Sequence, residues 1–367
     1  MRVAVIGAGP MGLAAALGAI ERGHDVVVIE RDEPGASLRT WGNTRFFTPL
    51  RMNISPAMRR VVGSVDDEAL LPGPEFAGIL NTIASALGDK VRTKTRVVAV
   101  ARRGLTRGDY PNHPLRRERP FRLLVESNDR EDVIEADAVL DASGGYVLPR
   151  HFGAGGLPAR GESRFKSRVI RSLGALQKAE LAGKRVLLIG HGHSAANAIA
   201  HLATTDAQVT WAVRTANRRP VGDIANDPLP ERQRVVRKAN DLAESVNVER
   251  RTTIEAIEEN GCFEVAFNGG RRAPFDAIAA FTGYRPDSAH TNELAIETSP
   301  VTEGGARLYR AISNITDCLS LPRVRQEDLE SGEPNYFFVG SRAYGRAPTF
   351  LLQTGLQQLE TILDALK

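Results

Sequence analysis

Two glycine-rich loops constrain this chain more than any other feature of its sequence. The first is Gly7-Ala8-Gly9-Pro10-Met11-Gly12 and the second is Gly190-His191-Gly192-His193-Ser194-Ala195. Each loop follows a short apolar segment and opens a run of small residues, which predicts a strand, a tight turn and a helix. Glycine lets the backbone approach a pyrophosphate, whose charge is met by N–H groups at the helix N-terminus. Two such loops predict two bound dinucleotides, with electron transfer between them.

The residue that follows the second strand of each unit distinguishes the two sites. After the first loop, segment 25–29 leads to Glu30, whose carboxylate can accept hydrogen bonds from ribose hydroxyls and would repel a 2′-phosphate. After the second loop, segment 208–213 leads to Arg214, with Arg218 and Arg219 close behind. A guanidinium group pairs with phosphate through two parallel hydrogen bonds. The first site therefore suits FAD or NAD(H) and the second NADP(H), unless Glu30 and Arg214 are ordinary surface charges at strand ends.

With these loops the chain resembles flavoproteins that carry two dinucleotide-binding domains. That superfamily includes the flavin-containing monooxygenases, the flavin-dependent N-hydroxylases and the pyridine nucleotide-disulfide oxidoreductases. Segments 137–145 and 276–287 are similar to the Ala-Thr-Gly crossings between the two domains of these proteins. The second crossing contains Thr282-Gly283 and is close to the family pattern, whereas the first has Ser143 before Gly144 where the family has threonine. The resemblance implies FAD at the first loop and NADPH at the second.

The same resemblance implies an α/β fold of two Rossmann-like three-layer dinucleotide-binding domains, with the NADPH domain inserted in the FAD domain. Residues 1–155 are expected to form the first part of the FAD-binding domain. Residues 162–284 are expected to form the NADPH-binding domain, and residues 285–367 the C-terminal return of the FAD-binding domain. Residues 103–120 are predicted to be a long polar loop, and residues 215–245 an insertion whose latter part is a charged helix.

The C-terminal return carries the last strong pattern. Residues 336–340 predict a strand that ends in Gly340, and residues 349–366 predict a helix. By resemblance, the strand end meets the FAD pyrophosphate and ribityl chain. The helix N-terminus would then point at the flavin ring, where it stabilises negative charge on reduced flavin. Ser341 stands where many family members have aspartate.

The candidates for the flavin face lie on and just after an aromatic loop that follows the second strand. Trp41 and Phe47 are expected to wall the isoalloxazine ring, and Arg45 and Asn53 to bond to substrate or flavin. The alternative for each of them is a buried aromatic plug. The catalytic side chain stays unknown, because oxygen chemistry in such proteins belongs to the cofactor and its water-excluded pocket. The residues expected to contact a cofactor are Gly7, Gly9, Pro10, Met11, Gly12, Glu30, Arg31, Trp41, Val97, Val98, Ser143, Gly144, Gly190, Gly192, His193, Ser194, Ala195, Arg214, Thr282, Gly283, Gly340, Ser341, Thr349 and Phe350.

The composition fits a globular protein of two domains and excludes several classes of function. The 367 residues are 42% hydrophobic and 25% charged, and the net charge of +4 suits anionic cofactors without implying nucleic acid. No apolar run is long enough to span a membrane, and a cytoplasmic location is expected. Cys262 and Cys318 are far apart, so the close cysteine pair that a disulfide reductase needs is missing. His191 and His193 are interpreted as phosphate-loop residues, and no metal site is expected.

Three functions remain open. The favoured one is an NADPH-dependent FAD monooxygenase that oxygenates nitrogen or sulfur of a small molecule through a flavin C4a-hydroperoxide, with O2 as co-substrate. The second is an FAD-dependent reductase or dehydrogenase with a non-disulfide acceptor, and the third is a nucleotide-binding flavoprotein without turnover. The Phe-x-Gly-x-x-x-His fingerprint of the monooxygenases is incomplete, because only His151-Phe152-Gly153 resembles its start. A homodimer is compatible with the sequence.

Overall fold

The structure is a computed structural model and describes residues 1–315, 319 and 321–366. Strands β1 to β17 are Arg2–Ile6, Asp25–Ile29, Val91–Arg92, Arg96–Arg102, Phe121–Ser127, Arg130–Ala136, Ala138–Asp141, Leu148–Pro149, Arg185–Ile189, Gln208–Ala212, Asn247–Glu249, Ile254–Glu259, Phe263–Phe267, Arg272–Phe275, Ala277–Ala280, Tyr284–Arg285 and Tyr336–Phe338. Helices α1 to α12 are Pro10–Glu21, Ala36–Arg39, Pro56–Val62, Gly73–Leu87, Leu115–Glu118, Leu173–Lys178, His193–Leu202, Pro230–Leu242, Ala306–Ile312, Gln326–Leu329, Ser341–Tyr344 and Leu352–Ala365.

Two parallel sheets with the same arrangement organise the described part of the chain. The first sheet has the strand order β17-β7-β1-β2-β3, and the second has the order β11-β10-β9-β15. In each sheet, the strand that precedes a glycine loop lies in the middle, with the next strand along the chain on one side and a crossing strand on the other. Antiparallel sheets, β4-β5-β6 and β12-β13-β14, accompany the two units. The predicted α/β fold with two Rossmann-like units is confirmed.

Burial explains why the central strands are uninterrupted apolar runs. A parallel sheet is covered on both faces, so its strands do not alternate between polar and apolar residues. Val3–Ile6 in β1 and Val186–Ile189 in β9 are accordingly buried. Helix α12 crosses α1 at Gly18, where an added Cβ would lie 2.5 Å from Leu363 Cδ1. This close crossing keeps the C-terminal helix against the first nucleotide unit.

The chain crosses between the sheets twice, and the two crossings pair with each other. β8 follows β7 and pairs antiparallel with β16, which follows β15, so that Leu148 lies opposite Arg285. Two hydrogen bonds reinforce the contact: Thr282 Oγ1 donates to the Arg150 carbonyl oxygen at 2.6 Å, and the Arg150 N–H donates to the Gly283 carbonyl oxygen at 2.9 Å. The strands of the second sheet lie in sequence between β7 and β17, so the second unit is inserted in the first, as predicted.

Two segments differ from their predictions. Helix α12 begins at Leu352, so Thr349 and Phe350 precede the helix. The Phe350 ring packs 5.2 Å from the Tyr344 ring, and this tertiary contact replaces helical continuation. Segment 103–120 is not a free polar loop, because it contains α5 and buries Arg116 against the carboxylate of Glu333 at 2.7 Å.

The same carboxylate receives a second arginine. Arg102 Nε donates to Glu333 Oε1 at 2.9 Å, and the side chains of both residues have no exposed surface. A buried carboxylate shared by two guanidinium groups ties segment 103–120 to the C-terminal return. The division of the chain into domains at 155, 162 and 284 stays a prediction. Within the described residues, no helix is both long and apolar enough to cross a membrane.

Candidate active site: two nucleotide loops and the aromatic loop that joins them

The first glycine loop has the geometry that a pyrophosphate needs. Gly7 has φ +98°, and a Cβ on Gly12 would lie 1.9 Å from the Gly7 carbonyl oxygen, so neither position accepts a side chain. Gly9 is different, because an added Cβ there would meet no described heavy atom within 4 Å. Protein packing therefore does not explain Gly9, whereas a bound phosphate would fill that space. Pro10 begins α1, and Met11 follows it, so the free N–H groups of the helix start face the loop.

Glu30 is held at the same loop. Its Oε2 accepts a hydrogen bond from the Ala8 N–H at 2.7 Å, and its Oε1 accepts one from the Asp32 N–H at 2.9 Å. Burial raises the pKa of the Glu30 carboxyl, and the hydrogen bond from Ala8 opposes this shift. Arg31 points away to an exposed ion pair with Asp32 at 3.2 Å. Glu30 can therefore present its remaining acceptor capacity to ribose hydroxyls.

Strand β4, which contains the expected cofactor contacts Val97 and Val98, starts next to Glu30. The Thr95 N–H donates to the Glu30 carbonyl oxygen at 2.9 Å. In the β4–β5 register Val97 pairs with Val125 and Ala99 with Leu124, which leaves Val98 in a bulge without a partner. A bulge leaves backbone groups free of the ladder, and such groups can hydrogen-bond a base. Val97 and Val98 thus lie near Glu30 and the first glycine loop, and their contact with a cofactor stays a prediction.

The first crossing adds an unsatisfied polar atom to this site. Ser143 Oγ is buried and has no partner with hydrogen-bond geometry among the described residues, although it lies close enough to the Asp141 carboxylate to help lower the pKa of that group. Buried hydroxyls are nearly always bonded, so such an atom indicates a missing ligand or water. Ser143 Cα lies 3.3 Å from where a Cβ on Gly7 would be, and Gly144 turns the chain with φ +90°. The open space at Gly9, the bulge at Val98 and the unpaired Ser143 hydroxyl together fit FAD.

The C-terminal loop closes the same site from the other side. Gly340 has φ +65°, and an added Cβ would lie 2.4 Å from Met11 Cγ, so only glycine fits beside the first loop. Ser341 Oγ accepts a hydrogen bond from the Gly145 N–H at 3.1 Å, which ties the loop to the first crossing. A Cβ on Gly355 would lie 2.7 Å from Phe350 Cε2, so Phe350 fills the space between α12 and Met11. Thr349 is adjacent, in the segment that leads into α12.

The four candidates for the flavin face have different surroundings in the structure. The Trp41 ring lies 4.8 Å from the Phe46 ring, and both rings pack against the hydrophobic core of the first nucleotide unit. Asn53 is buried and engaged with Thr48, accepting from Thr48 Oγ1 at 2.8 Å and donating to the Thr48 carbonyl oxygen at 3.1 Å. For these two residues the alternative of a buried plug describes the geometry better. Arg45 is exposed, with a long 3.5 Å hydrogen bond to the Leu70 carbonyl oxygen.

Phe47 belongs to the second unit rather than the first. The Phe47 ring meets the His193 ring edge-on at 5.2 Å, and Phe47 packs against the hydrophobic core of the second nucleotide unit. The same loop docks on α6, because the Gly174 N–H donates to the Thr40 carbonyl oxygen at 2.8 Å and the Asn43 N–H donates to Gln177 Oε1 at 2.8 Å. The aromatic loop therefore joins the two nucleotide units.

The second glycine loop repeats the geometry of the first with one change. Gly190 has φ +122°, and an added Cβ would lie 2.3 Å from the Phe281 carbonyl oxygen. Gly192, like Gly9, has open space in the described structure where a Cβ would be. The third position is Ala195, which is buried, while His193 and Ser194 begin α7 at the surface. Burial and the charge of Arg214 lower the pKa of His191, so a cation lies close to this loop.

Equivalent hydrogen bonds in the two loops show that Arg214 lies one position beyond the residue that corresponds to Glu30. Gly7 N–H bonds to the Ile29 carbonyl oxygen, and Gly190 N–H bonds to that of Ala212, so Val213 rather than Arg214 corresponds to Glu30. Val213 is buried, and Arg214 beyond it is exposed. The second site thus lacks a carboxylate at the ribose, and its arginine stands one residue further along the chain.

Among the three candidate arginines, only Arg214 is free in the part of the chain that is described. Arg218 pairs with Glu244 at 2.8 Å, and Arg219 pairs with Asp223 at 2.6 Å. No described carboxylate lies within 4.0 Å of Arg214. A free guanidinium group beside an open phosphate loop is the arrangement that a 2′-phosphate requires.

Sequence reasoning missed a buried charged network under the C-terminal loop. Asp141, at the end of β7, accepts hydrogen bonds from Arg342 Nε at 3.1 Å and from the Tyr336 hydroxyl at 3.0 Å, and His290 Nε2 lies at 3.3 Å. Burial alone would raise the pKa of the Asp141 carboxyl, but the charges of Arg342 and His290 hold it well below its usual range. An aspartate that ends an apolar strand was the available signal. The network fixes the first crossing to the loop after Gly340.

The cysteines and histidines form no catalytic cluster in the described residues. Cys262 precedes β13 and interacts with Arg185, at the start of β9, whereas Gly190 follows the end of that strand. Cys262 is therefore at the opposite end of the second sheet from the nucleotide loop. Cys318 lies outside the described residues. Nowhere in residues 1–315, 319 and 321–366 do three or more histidine, cysteine, aspartate or glutamate side chains form a possible metal site.

Comparisons with known proteins agree with this geometry. The family model described as pyridine nucleotide-disulphide oxidoreductase matches residues 1–324. The flavin-containing monooxygenase FMO GS-OX-like 4 of Arabidopsis thaliana is 25% identical over 319 residues, which cover 77% of this chain and 62% of that protein. The chain thus spans less than two thirds of that relative's length.

Two solved structures show the same fold. A bacillithiol disulfide reductase from Bacillus cereus superposes over all of both chains with a TM-score of 0.72 and 18% identity. An ornithine N-hydroxylase from Kutzneria sp. 744 superposes over 98% of this chain and 96% of its own, with a TM-score of 0.63 and 16% identity.

Proposed function

We propose that this chain, which belongs to the pyridine nucleotide-disulphide oxidoreductase family, is an NADPH-dependent FAD monooxygenase that oxygenates nitrogen or sulfur of a small molecule. The family consists of flavin-dependent oxidoreductases that bind FAD and a pyridine nucleotide. NADPH as the nucleotide, and O2 and a small molecule as the other substrates, are the specific parts of the proposal.

The location of the cysteines carries the proposal. A disulfide reductase of this architecture passes electrons from flavin to a close pair of thiols. The sequence contains two cysteines, and Cys262 lies at the wrong end of the second sheet. A single remaining thiol cannot form an intramolecular pair near the flavin. Electrons that reach FAD must therefore leave it directly, either to oxygen or to a bound acceptor.

Arg214 supports NADPH as the electron donor. Its guanidinium group is free and exposed, while Val213 removes the carboxylate that would repel a 2′-phosphate. The open space at Gly192 lets the pyrophosphate reach the start of α7. The ornithine N-hydroxylase of similar fold was solved with reduced FAD and NADP+ together, which matches the pair of sites proposed here.

The residues around the first site would bind the flavin and exclude water. When bound, FAD supplies the chemistry that accepts hydride and activates oxygen. Glu30, Ser143 and the N–H groups after Gly9 would hold its adenosine and pyrophosphate ends. Phe350, packed beside Met11 and Gly340, keeps the loop before α12 closed. Exclusion of water favours transfer of oxygen to a substrate over release of peroxide.

A reductase or dehydrogenase with a non-disulfide acceptor is the second candidate. Residues 151 and 152, the start of the incomplete monooxygenase fingerprint, are bonded to the Glu162 carboxylate in the segment between β8 and α6. His151 Nδ1 lies 3.1 Å from Glu162 Oε1, and the N–H of buried Phe152 donates to the same carboxylate at 3.3 Å. This structural use of the segment favours the second candidate over a monooxygenase of the usual pattern.

Different electron acceptors (oxygen, a disulfide and a quinone) distinguish the candidates. NADPH oxidation is measured in air with an oxygen electrode, and again without oxygen in the presence of a small aromatic disulfide or a quinone. The proposal predicts that NADPH oxidation consumes O2 and is stimulated by an amine or thioether substrate, with no anaerobic oxidation of NADPH by the disulfide. Rapid anaerobic turnover with the quinone and slow oxygen consumption would favour the second candidate.

A further inference from the structure

A cluster of arginines lies where the two crossings meet the C-terminal loop. Arg285 of β16 makes two contacts with the carboxylate of Glu303, Nε to Oε2 at 3.0 Å and Nη2 to Oε1 at 2.8 Å. Arg346, which follows α11, reaches the same carboxylate at 3.5 Å. Glu303 is thus shared by two cations. Arg150 of the first crossing makes no ion pair with Glu303 but lies close enough for the charges of Glu303 and Arg346 to act on it, so three guanidinium groups and one carboxylate share this region.

Arg150 is the member of this cluster without a protein partner. Its backbone is bonded to Gly283 and Thr282, and its side chain passes Gly283, whose added Cβ would lie 3.7 Å from Arg150 Cδ. Among the described residues, no carboxylate lies within 4.0 Å of its guanidinium group. Burial and the charges of Arg346 and Arg214 lower the pKa of Arg150, and the charge of Glu303 opposes this shift only in part. A half-buried guanidinium group without a partner costs free energy unless a ligand neutralises it.

The backbone that builds the cluster is rigid. Glu303 has φ +62°, a left-handed conformation that is unfavourable for glutamate. Gly345 packs closely against this turn, since an added Cβ would lie 2.1 Å from the Thr302 carbonyl oxygen. The Arg346 N–H also donates a hydrogen bond to that oxygen at 2.7 Å. The carboxylate is therefore held between Arg285 and Arg346, and it makes no ion pair with Arg150.

The position of Arg150 connects the two cofactor sites. Arg214 belongs to the second nucleotide loop, and Arg346 belongs to the loop that leads into α12 beside the proposed flavin site. Arg150 lies beside Gly283, which follows β15, whereas Arg214 follows β10 on the other side of β9, so Arg150 lies away from the arginine proposed for the 2′-phosphate and at the crossings that lead to the first unit. Apolar surface is exposed on the same crossing, since Leu148 is 41% exposed and lies opposite Arg285 in the β8–β16 register.

We propose that Arg150, with Arg285 and Arg346, binds the anionic group of an acidic substrate, such as a small carboxylic acid with an apolar body. This inference rests on the proposed function for the reaction but concerns binding alone. The same positive charge could instead neutralise the pyrophosphate of NADP(H), and the test distinguishes the two sources of the anion.

Equilibrium titration of the oxidised FAD holoenzyme tests the proposal without requiring turnover. The probes are benzoate and benzamide, which have the same shape and differ in charge, and NADP+; each is followed by the change in visible flavin absorbance. We expect benzoate to bind and benzamide to bind at least about tenfold more weakly. Arg150→Gln should weaken benzoate by about ten- to a hundredfold, the loss expected for one charge-assisted hydrogen bond, and leave NADP+ unchanged.

Arg160→Gln is the matched control. The Arg160 side chain is 76% exposed and lies 3.7 Å from Glu258, outside the cluster, so its loss should change neither affinity. Equal binding of benzoate and benzamide, no binding of benzoate, or weaker NADP+ binding alone in Arg150→Gln would each overturn the proposal. A failure of oxygen transfer in the activity assay would leave these affinities unaffected, so the two proposals can fail separately.

Discussion

Replacing Arg214 by alanine should remove the preference for NADPH over NADH. Arg214 is the free guanidinium group beside the second loop, and a charge-assisted hydrogen bond is worth about 1.5–3 kcal/mol. Because Arg214 is exposed, solvent screens the pair, and we expect the lower end of this range, or about tenfold. The contact is the same in the ground state and the transition state, so the loss should appear in KM for NADPH and not in kcat.

The assay is steady-state oxidation of NADPH and of NADH by wild type and variants. Arg218→Ala is the control, since Arg218 pairs with Glu244 at the surface and its removal should change the ratio of kcat/KM by about twofold or less. The kinetic constants for NADH should be unchanged in both variants. If Arg214→Ala keeps the wild-type ratio while Arg218→Ala loses it, the assignment of the 2′-phosphate to Arg214 is wrong.

Three further changes test other parts of the structure. Gly12→Ala should yield protein depleted of FAD, because its Cβ would lie 1.9 Å from the Gly7 carbonyl oxygen, whereas Gly78→Ala, in an open position of α4, should retain FAD as judged by the flavin released on denaturation. Cys262→Ser should keep the NADPH oxidation rate within about twofold of wild type, and a large loss would restore a thiol mechanism. Asp141→Asn leaves Arg342 buried without its charge partner and should lower the free energy of unfolding by about 3–5 kcal/mol in chemical denaturation. Because the folded pKa of Asp141 is depressed, its contribution is present above about pH 4 and is lost as the pH falls through the folded value, so Asp141→Asn should flatten this acid limb of the stability curve.

Local sequence chemistry was enough to predict the nucleotide units. Gly7 and Gly190 have positive φ angles, and Gly12 is crowded by the carbonyl oxygen of Gly7, so the pattern of residues reports the geometry of the turn directly. The crossings were also readable, because an apolar strand that ends in a small residue and glycine has few other uses. The insertion of one unit in the other follows from the order of these segments.

The parts that sequence did not predict depend on contacts between distant segments. Asp141 and Arg342 lie far apart in the chain and meet only because β7 and β17 are neighbours. Arg116 lies in the segment predicted to be a long polar loop, but its side chain is buried and forms an ion pair with Glu333. Asn53 is expected to bond to substrate or flavin, and in the structure its side chain makes two hydrogen bonds with Thr48. In each case the partner cannot be identified from the residue type or its local spacing.

The reaction of the reduced enzyme with oxygen tests the central proposal most directly. The enzyme is reduced anaerobically with one equivalent of NADPH and mixed rapidly with oxygenated buffer, while the visible spectrum is recorded over time. A monooxygenase predicts a transient absorbing species, distinct from reduced and oxidised flavin, whose lifetime increases when NADP+ is added. Direct return to the oxidised spectrum in a single step, at every NADP+ concentration, would contradict the monooxygenase and favour a reductase or dehydrogenase.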